Sequence, residues 1–175
     1  MKRLLSHLST TRWQVRRAFP ERVLNAIETA IRNAESTHGG EIRFAIERDL
    51  PVLDVLRGCS PRDRALHTFA HLGVWDTHAN NGVLIYLLYA DRDVEIVADR
   101  GFNTLVSGDE WAAVCSKMET FFRAGDFERG AIEGIAAVSH LIARHFAATG
   151  CYAILAVKDV LHVLAGGDDR KQYVD

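Results

Sequence analysis

The sequence predicts an α/β protein, a three-layer α/β/α sandwich built on a small mixed β-sheet. Residues 82–90 are almost wholly apolar, which is typical of a central strand covered on both faces. Residues 41–48 alternate polar and apolar, and a helix separates them from 82–90, so these two strands are expected to be parallel. Residues 94–98 follow a tight turn and predict an antiparallel return strand, which completes a hairpin with 82–90.

Helix caps and apolar spacing predict the two helices that flank the first strand. One helix begins after Pro20 and ends near 38–40, where two glycines occur. The loop 50–59 is expected to contain one helical turn. Ser60 and Pro61 favour the start of the next helix, because serine caps a helix and proline suits its first position. The residues of this helix expected to face the core are Leu66, Phe69 and Ala70.

Two long helices are expected after the hairpin. Ser107 begins the first with a capping box, and Gly125 ends it. The second is expected over 127–146, where the spacing of Gly130 and Gly134 indicates close packing against a neighbouring helix rather than dimerisation in a membrane. The apolar residues expected to face inward from this helix are Ile132, Ile135, Val138 and Ile142.

Length and composition indicate one globular domain in the cytoplasm. The chain has 175 residues, of which 48% are hydrophobic and 25% charged, and this excludes a disordered or membrane-embedded protein. A net charge of −2 gives no reason to expect nucleic acid as a partner. The three cysteines are far apart and odd in number, so we expect a reducing compartment and no disulfide framework. No apolar run approaches the roughly 20 residues that span a bilayer.

The chain is expected to have three parts: a basic N-terminal segment at 1–19, a folded domain at 20–150 and a C-terminal tail at 151–175. The N-terminal segment holds five basic residues and no acidic one. Residues 2–17 would therefore suit an anionic membrane surface. A packed or frayed terminal helix is the preferred interpretation of the same residues.

Polar residues gather at one end of the predicted sheet. Because the parallel pair is followed by an antiparallel return, the first two strands begin where the third one ends. That end is expected to collect His38, Glu41, Asp76, Thr77, Asn80, Asn81, Asp99, Arg100 and Gly101. Carboxylate and amide oxygens bind hard cations such as Ca²⁺ or Mg²⁺, and Arg100 would suit a phosphate. The alternative is that these residues serve only as turn and cap residues.

Other candidate motifs are weaker. His67 and His71 are four apart on a helix and would share a metal, but the glutamate of H-E-x-x-H is absent, so a solvated helix flank is preferred. The D-x-D of residues 91–93 is followed by Glu95 where aspartyl-phosphate phosphatases have threonine, and a tight turn explains it. The sequence contains no G-x-S-x-G, Walker A or G-x-G-x-x-G motif, which leaves serine-hydrolase, NTPase and dinucleotide-binding functions without support.

Several segments together resemble one known family. They are W-D-T-H-A-N-N-G-V-L-I-Y at 75–86, V-E-I-V-A-D-R-G at 94–101 and G-E-I-R at 40–43. Trp111, Phe122, Arg123 and Phe127 extend the match into the helical half, over roughly residues 20–147. The family that these segments resemble is the TPM-domain family, named for a thylakoid lumen acid phosphatase, a photosystem repair protein and a receptor modulator. The resemblance implies an α/β/α sandwich, and some members are phosphatases or bind calcium.

The resemblance is to a cytoplasmic bacterial branch, without the signal peptide and acidic N-terminal segment of exported members. It implies a module that binds a divalent cation or a protein partner. The expected metal ligands, which follow from the predicted topology of the sheet end, are Glu41, Asp76 and Asp99. The alternative is a weak metal-dependent acid phosphatase, in which Asp76 and Asp99 hold the metal and Arg100 holds the phosphate. The catalytic residues stay unassigned, and the tail at 151–175 matches nothing in the family.

Overall fold

Helices and strands alternate along the chain after two short N-terminal helices. The computed structural model describes residues 2–148 and the backbone of residues 161–164. In chain order, its elements are α1 (Lys2–Ser9), α2 (Arg12–Ala18), α3 (Glu21–Glu35), β1 (Glu41–Glu47), α4 (Val52–Leu56), α5 (Pro61–His71), β2 (Gly82–Leu88), β3 (Asp93–Ala98), α6 (Gly108–Arg123), α7 (Phe127–Ala143) and β4 (Leu161–Leu164). A 3-10 turn, Arg100–Phe102, follows β3. The predicted strands and helices are therefore confirmed, with small differences at their ends.

The structure describes one mixed sheet of four strands, in the order β3-β2-β1-β4. β1 runs parallel to β2, with Glu41 opposite Gly82, and β3 returns antiparallel to β2. The predicted parallel pair and hairpin are confirmed. β4 pairs in parallel with the other edge of β1. The rest of the expected C-terminal tail, 151–160 and 165–175, lies outside the described residues.

Both faces of β2 are covered by helices. The odd-numbered side chains from Val83 to Leu87 lie among buried residues of α3, α6 and α7. The even-numbered side chains from Leu84 to Leu88 lie among buried residues of α5 and the segment that follows it. Every residue of β2 is buried. A strand that is apolar at each position removes surface from water on both sides, which explains the three-layer sandwich.

Helix α5 turns a different face to the sheet from the one that the sequence predicts. Ala65 and Thr68 are its buried residues, whereas Leu66 and Ala70, expected in the core, are exposed. Helix-to-sheet distance depends on the side chains at the contact, and small ones allow the closest approach. The expectation for Leu66 and Ala70 was wrong because it ranked residues by apolarity alone.

Two glycines of α7 allow this helix to pack closely against α6. A Cβ at Gly134 would lie 2.2 Å from Sδ of Met118, and a Cβ at Gly130 would lie 2.6 Å from the ring of Phe122. The prediction that these glycines allow close packing is confirmed. Ile132, expected to face inward, is exposed, because the glycine-bearing face of α7 occupies the contact with α6.

The N-terminal segment folds onto the hairpin turn between β2 and β3. Arg3 Nε and His7 Nε2 contact the two carboxylate oxygens of Asp91 at 2.9 and 3.1 Å. Val15 on α2 and Phe19 just after it are buried. A packed terminal helix, the preferred interpretation of this segment, is confirmed. None of the helices described combines the length and apolar character of a membrane span.

Candidate functional site at the start of β1 and β2

The predicted site lies where β1 and β2 begin and β3 ends. Glu41 stands opposite Gly82. Asp99, one residue past β3, donates its N–H to the carbonyl oxygen of Gly82 at 2.9 Å. Glu41, Gly82 and Asp99 therefore share one row across the sheet, as the predicted topology requires. Because neighbouring strands lie about 4.8 Å apart, the Cα atoms of Glu41 and Asp99 are about 10 Å apart in this row.

The chain segment before β2 fills the middle of this row. A Cβ at Gly82 would lie 2.0 Å from the carbonyl oxygen of Val74. Val74 is itself buried on the α5 face of the sheet. Its main chain thus lies over Gly82, between the positions of Glu41 and Asp99. The two carboxylates share one end of the sheet without being neighbours.

The two carboxylate oxygens of Asp99 differ in their hydrogen bonding. The residue is 8% exposed. Its Oδ1 accepts the N–H of Arg100 at 2.7 Å and so caps the 3-10 turn. Its Oδ2 is buried and has no hydrogen-bond partner within residues 2–148. Buried carboxylate oxygens normally have partners, so this atom is the feature of the site that most needs an explanation.

Thr77, Asn80 and Asn81 form a closed turn. Thr77 Oγ1 accepts the N–H of Asn81 at 2.9 Å, and the Asn81 side-chain amide donates to the carbonyl of Gly39 at 2.8 Å. Asn80 has a φ of 52°, and its carbonyl accepts the N–H of Gly101 at 2.9 Å. The turn-and-cap alternative therefore describes the hydrogen bonds of these residues well.

Arg100 extends from the 3-10 turn along the protein surface. Its Nε donates to Oδ1 of Asn80 at 2.8 Å. The side chain is exposed, so its guanidinium is accessible to an anion from solution. Arg100 does not donate a hydrogen bond to Oδ2 of Asp99, since no described residue, Arg100 included, is a partner of that atom.

His38 is buried just before β1. Its Nδ1 accepts the N–H of Gly40 at 3.2 Å, which assigns the ring proton of the neutral form to Nε2. Burial lowers the pKa of His38 and so favours that neutral form. The Nε2 atom is buried and has no hydrogen-bond partner in the described part of the chain. In this tautomer it is a donor, which would suit an anion or a water molecule and not a metal ion.

The expected metal set is not brought into one cluster. Asp76 is exposed in the loop before β2, and Glu41 is separated from Asp99 by the main chain of Val74. Among the described residues, no three His, Cys, Asp or Glu side chains are grouped so that they could hold a metal ion. The assignment of Ca²⁺ or Mg²⁺ to Glu41, Asp76 and Asp99 stays a prediction.

The weaker metal candidate also lacks support from a third ligand. His67 and His71 are exposed on α5, with their rings stacked at a centroid distance of 6.3 Å. Neither belongs to a metal-holding group within the described part of the chain. A solvated helix flank, the preferred interpretation, agrees with this exposure.

Two grooves on the described surface are lined mainly by residues of α3 and α7. One of about 300 Å³ runs between α3 and α7, and another of about 270 Å³ lies beside the start of α7. Neither is lined by the candidate residues.

A buried polar network on the α5 face was missed by the sequence analysis. Glu47 is fully buried, and its two oxygens accept from Nη2 and Nε of Arg64, each at 2.8 Å. The Tyr86 hydroxyl donates to Oε2 of Glu47 at 2.6 Å. Burial, followed by the negative charge of Glu47, raises the pKa of Tyr86, which keeps the phenol neutral. In the sequence, Glu47 falls on the polar side of the alternating pattern at 41–48, and this pattern carries no signal of its pairing with Arg64.

Acidic residues crowd the start of β3, at the opposite end of the sheet. Asp93 has a buried Oδ1 atom to which no described residue donates a hydrogen bond. Burial, and then the negative charges of Glu95, Glu119 and Asp91, raise the pKa of Asp93 to about 6. The ionised form of Asp93 therefore destabilises the folded protein at neutral pH.

Asp93→Asn is expected to raise the free energy of unfolding at pH 7 by about 1 kcal/mol, a value reduced to allow for solvent screening of this half-buried group. The folded-state pKa lies above the unfolded value of about 3.9, so the wild type gains stability as pH falls from about 6 to 4. The advantage of the variant should shrink over that window in urea unfolding. An equal difference at pH 7 and pH 4 would contradict the prediction.

Comparisons with known proteins agree with this architecture. The family model described as the TPM domain matches residues 17–141. The BA42 protein of the psychrophilic bacterium Bizionia argentinensis, solved by NMR, has 29% sequence identity and a TM-score of 0.69, over 81% of this chain and 92% of that one. The N-terminal domain of a P. gingivalis protein has 25% identity and a TM-score of 0.50, over 66% of this chain and 71% of that one. No curated protein matches. Because the family model covers more than half of its length, the chain belongs to the TPM-domain family.

Proposed function

We propose that this TPM domain binds a divalent cation, Ca²⁺ or Mg²⁺, at the sheet end, with Asp99 as the anchoring ligand. The supporting observation is Oδ2 of Asp99, which is buried and has no hydrogen-bond partner among the residues that the structure describes. A buried polar atom without a partner carries a desolvation penalty of about 1–3 kcal/mol, and more when the group is charged. A cation at this atom would remove that penalty and neutralise the carboxylate.

Oxygen atoms that suit a hard cation lie around the same end of the sheet. The carbonyl of Val74 lies over Gly82, beside Asp99 in the row, and the carbonyl of Asn80 lies close to Gly101. Carbonyl and carboxylate oxygens are the ligands that Ca²⁺ prefers, and water completes its shell where protein ligands are few. With one buried carboxylate, we expect a Kd of about 10⁻⁴–10⁻³ M. Glu41 would add attraction at longer range through its charge.

Asp99→Asn is expected to weaken Ca²⁺ or Mg²⁺ binding at least about tenfold, as measured by isothermal titration calorimetry, because it removes the charge from the anchoring ligand. Asparagine keeps an oxygen that can accept the Arg100 N–H, so the cap and the fold should survive. Asp126→Asn is the matched control, since Asp126 caps α7 by accepting the N–H of Arg129. Glu41→Gln should weaken binding less than Asp99→Asn does.

Two calorimetric results would contradict the proposal. Wild-type protein that shows no heat of binding at millimolar Ca²⁺ and Mg²⁺ does not carry the site. Loss of binding in Asp126→Asn as well as Asp99→Asn would show that net charge, rather than the position of Asp99, attracts the cation.

A weak metal-dependent phosphatase is the alternative function at the same place. The exposed guanidinium of Arg100 is the feature that favours it, since arginine binds phosphate through paired hydrogen bonds. An assay of p-nitrophenyl phosphate hydrolysis, run on the same protein samples as the calorimetry, distinguishes the two functions. Cation binding without hydrolysis supports the binding module, and hydrolysis that persists in excess EDTA contradicts a metal-dependent enzyme.

A further inference from the structure

Helix α1 turns its polar side chains toward the protein and its leucines toward solvent. Arg3, Ser6 and His7 contact the turn that joins β2 to β3. Leu5 and Leu8, in contrast, are 64% and 61% exposed. A surface helix of a soluble domain normally buries its apolar stripe. The orientation of α1 is reversed, so its apolar face is not buried against the residues that the structure describes.

Helix α4 lies beside α1 and extends this apolar face. The N–H of Leu50, just before α4, donates to Nδ1 of His7 at 2.9 Å. Arg3 Nη1 donates to the carbonyl of Cys59, just after α4, at 2.9 Å. Because α1 residues bind the chain at both ends of α4, the two helices lie side by side. None of the residues of α4 is buried.

Four leucines on these two helices form a surface that we name the leucine patch: Leu5, Leu8, Leu53 and Leu56. Leu53 and Leu56 are 63% and 65% exposed and lie one helical turn apart. Of the ten exposed large hydrophobic side chains in the described residues, six lie on α1, α2 and α4. This concentration on three short helices indicates an interaction surface, because scattered exposure would need no explanation.

Basic side chains accompany the leucine patch. Lys2 on α1 and Arg12, Arg16 and Arg17 on α2 are exposed, and these two helices contain no acidic residue. Trp13, also exposed on α2, has the Arg17 guanidinium 5.4 Å from its ring centroid. Leucine, tryptophan and a purely basic charge are the side chains that amphipathic helices present to anionic membrane surfaces.

We propose that α1, α2 and α4 dock the protein onto a lipid bilayer that carries anionic headgroups. The leucine patch and Trp13 enter the boundary between headgroups and acyl chains, and the basic side chains contact lipid phosphates. A second copy of the chain fits this surface poorly, because two such surfaces would bring like charges together. The docking surface lies at the hairpin end of the sheet, away from Asp99, so it does not depend on the cation site.

Co-sedimentation of the full chain with vesicles tests this proposal. We expect binding to vesicles of phosphatidylcholine mixed with phosphatidylglycerol, little binding to phosphatidylcholine alone, and release as the salt concentration rises. The fluorescence of Trp13 should shift to shorter wavelength on binding. That shift should be lost in Trp13→Phe and kept in Trp75→Phe, since Trp75 is exposed elsewhere.

Matched variants separate the contribution of the leucine patch to docking from that of the basic side chains. Leu5→Ser with Leu53→Ser should weaken binding to the mixed vesicles at least about tenfold. The control pair, exposed outside the patch, is Leu66→Ser with Leu105→Ser, and it should bind as the wild type does. Arg12→Gln with Arg16→Gln should weaken binding by about fivefold for each arginine. The control pair for charge is Arg123→Gln with Arg129→Gln. Unchanged melting temperatures would show that the variants are folded.

Three outcomes would overturn the proposal. The first is no binding of the wild type to the mixed vesicles at low salt. The second is binding that the patch and control variants weaken equally. The third is a dimer in sedimentation velocity that Leu5→Ser with Leu53→Ser abolishes, which would assign the leucine patch to a second copy of the chain.

Discussion

Glu47→Ala is expected to lower the free energy of unfolding by about 3–5 kcal/mol. Glu47 is fully buried between β1 and α5, where it accepts hydrogen bonds from Arg64 and Tyr86. Removing the carboxylate takes away the ion pair that Glu47 makes with a largely buried guanidinium and the acceptor of a buried phenol. A buried charge without its partner is much less stable than either the intact pair or an apolar replacement. Urea unfolding followed by circular dichroism measures the change.

Two comparisons separate this effect from the loss of an ordinary ion pair. Glu133→Ala removes an exposed partner of Lys117, 2.7 Å away, and should leave the urea midpoint nearly unchanged. The triple change Glu47→Leu, Arg64→Met and Tyr86→Phe should recover most of the lost stability, because apolar side chains of similar volume need no desolvation of charge. A triple variant no more stable than Glu47→Ala would show that the unpaired polar groups are not the cause of the loss.

The sheet could be predicted because its central strand carries an unusually clear pattern. The run from Val83 to Leu88 has no polar side chain except the Tyr86 hydroxyl, and only a strand covered on both faces buries such a run. The turn at 91–93 and the helix between β1 and β2 then leave few topologies open. Local residue spacing and chain order are therefore sufficient to predict where β1, β2 and β3 lie in the sheet.

The burial of the charged side of β1 could not be predicted from the alternation of polar and apolar residues. Glu41 and Arg43 lie on the same side as Glu47, and all three are charged, so this side looks like a solvated face. In the folded protein α5 covers its far half, where Ala45 and Glu47 are buried. Arg64, one helical turn into α5, makes that burial possible. A pairing between residues on different elements leaves no periodic signal in the sequence.

At the candidate site, topology was predictable and the arrangement of atoms was not. Chain order is enough to place Glu41 and Asp99 at the same end of the sheet. The separation of their carboxylates depends on the path of the loop before β2, which brings Val74 over Gly82. Loop paths of this kind follow from packing and hydrogen bonds that no spacing rule describes. Likewise, the lack of a hydrogen-bond donor for Oδ2 of Asp99 among the described residues can be recognised only from the positions of the donors around it.

Gly82→Ala is expected to destabilise the protein by about 3 kcal/mol. The added Cβ would lie 2.0 Å from the carbonyl oxygen of Val74, and this neighbour is main chain rather than the end of a flexible side chain. Gly82 also begins β2 and accepts the N–H of Asp99. Relief of the clash therefore requires movement of either a central strand or the loop above it, and closely packed interiors resist both. Thermal and urea unfolding measure the loss.

Gly108→Ala is the matched control for this substitution. No atom lies within 4 Å of a Cβ built at Gly108, and the residue is helical, so alanine there should be neutral or stabilising by up to about 1 kcal/mol. Where Gly82→Ala protein remains folded, its Ca²⁺ affinity should fall as well, because the displaced loop carries the Val74 carbonyl beside Asp99. A Gly82→Ala variant with wild-type stability would mean that the Val74 main chain does not lie over β2 at this point. It would also mean that Val74 is not what separates the Glu41 and Asp99 carboxylates.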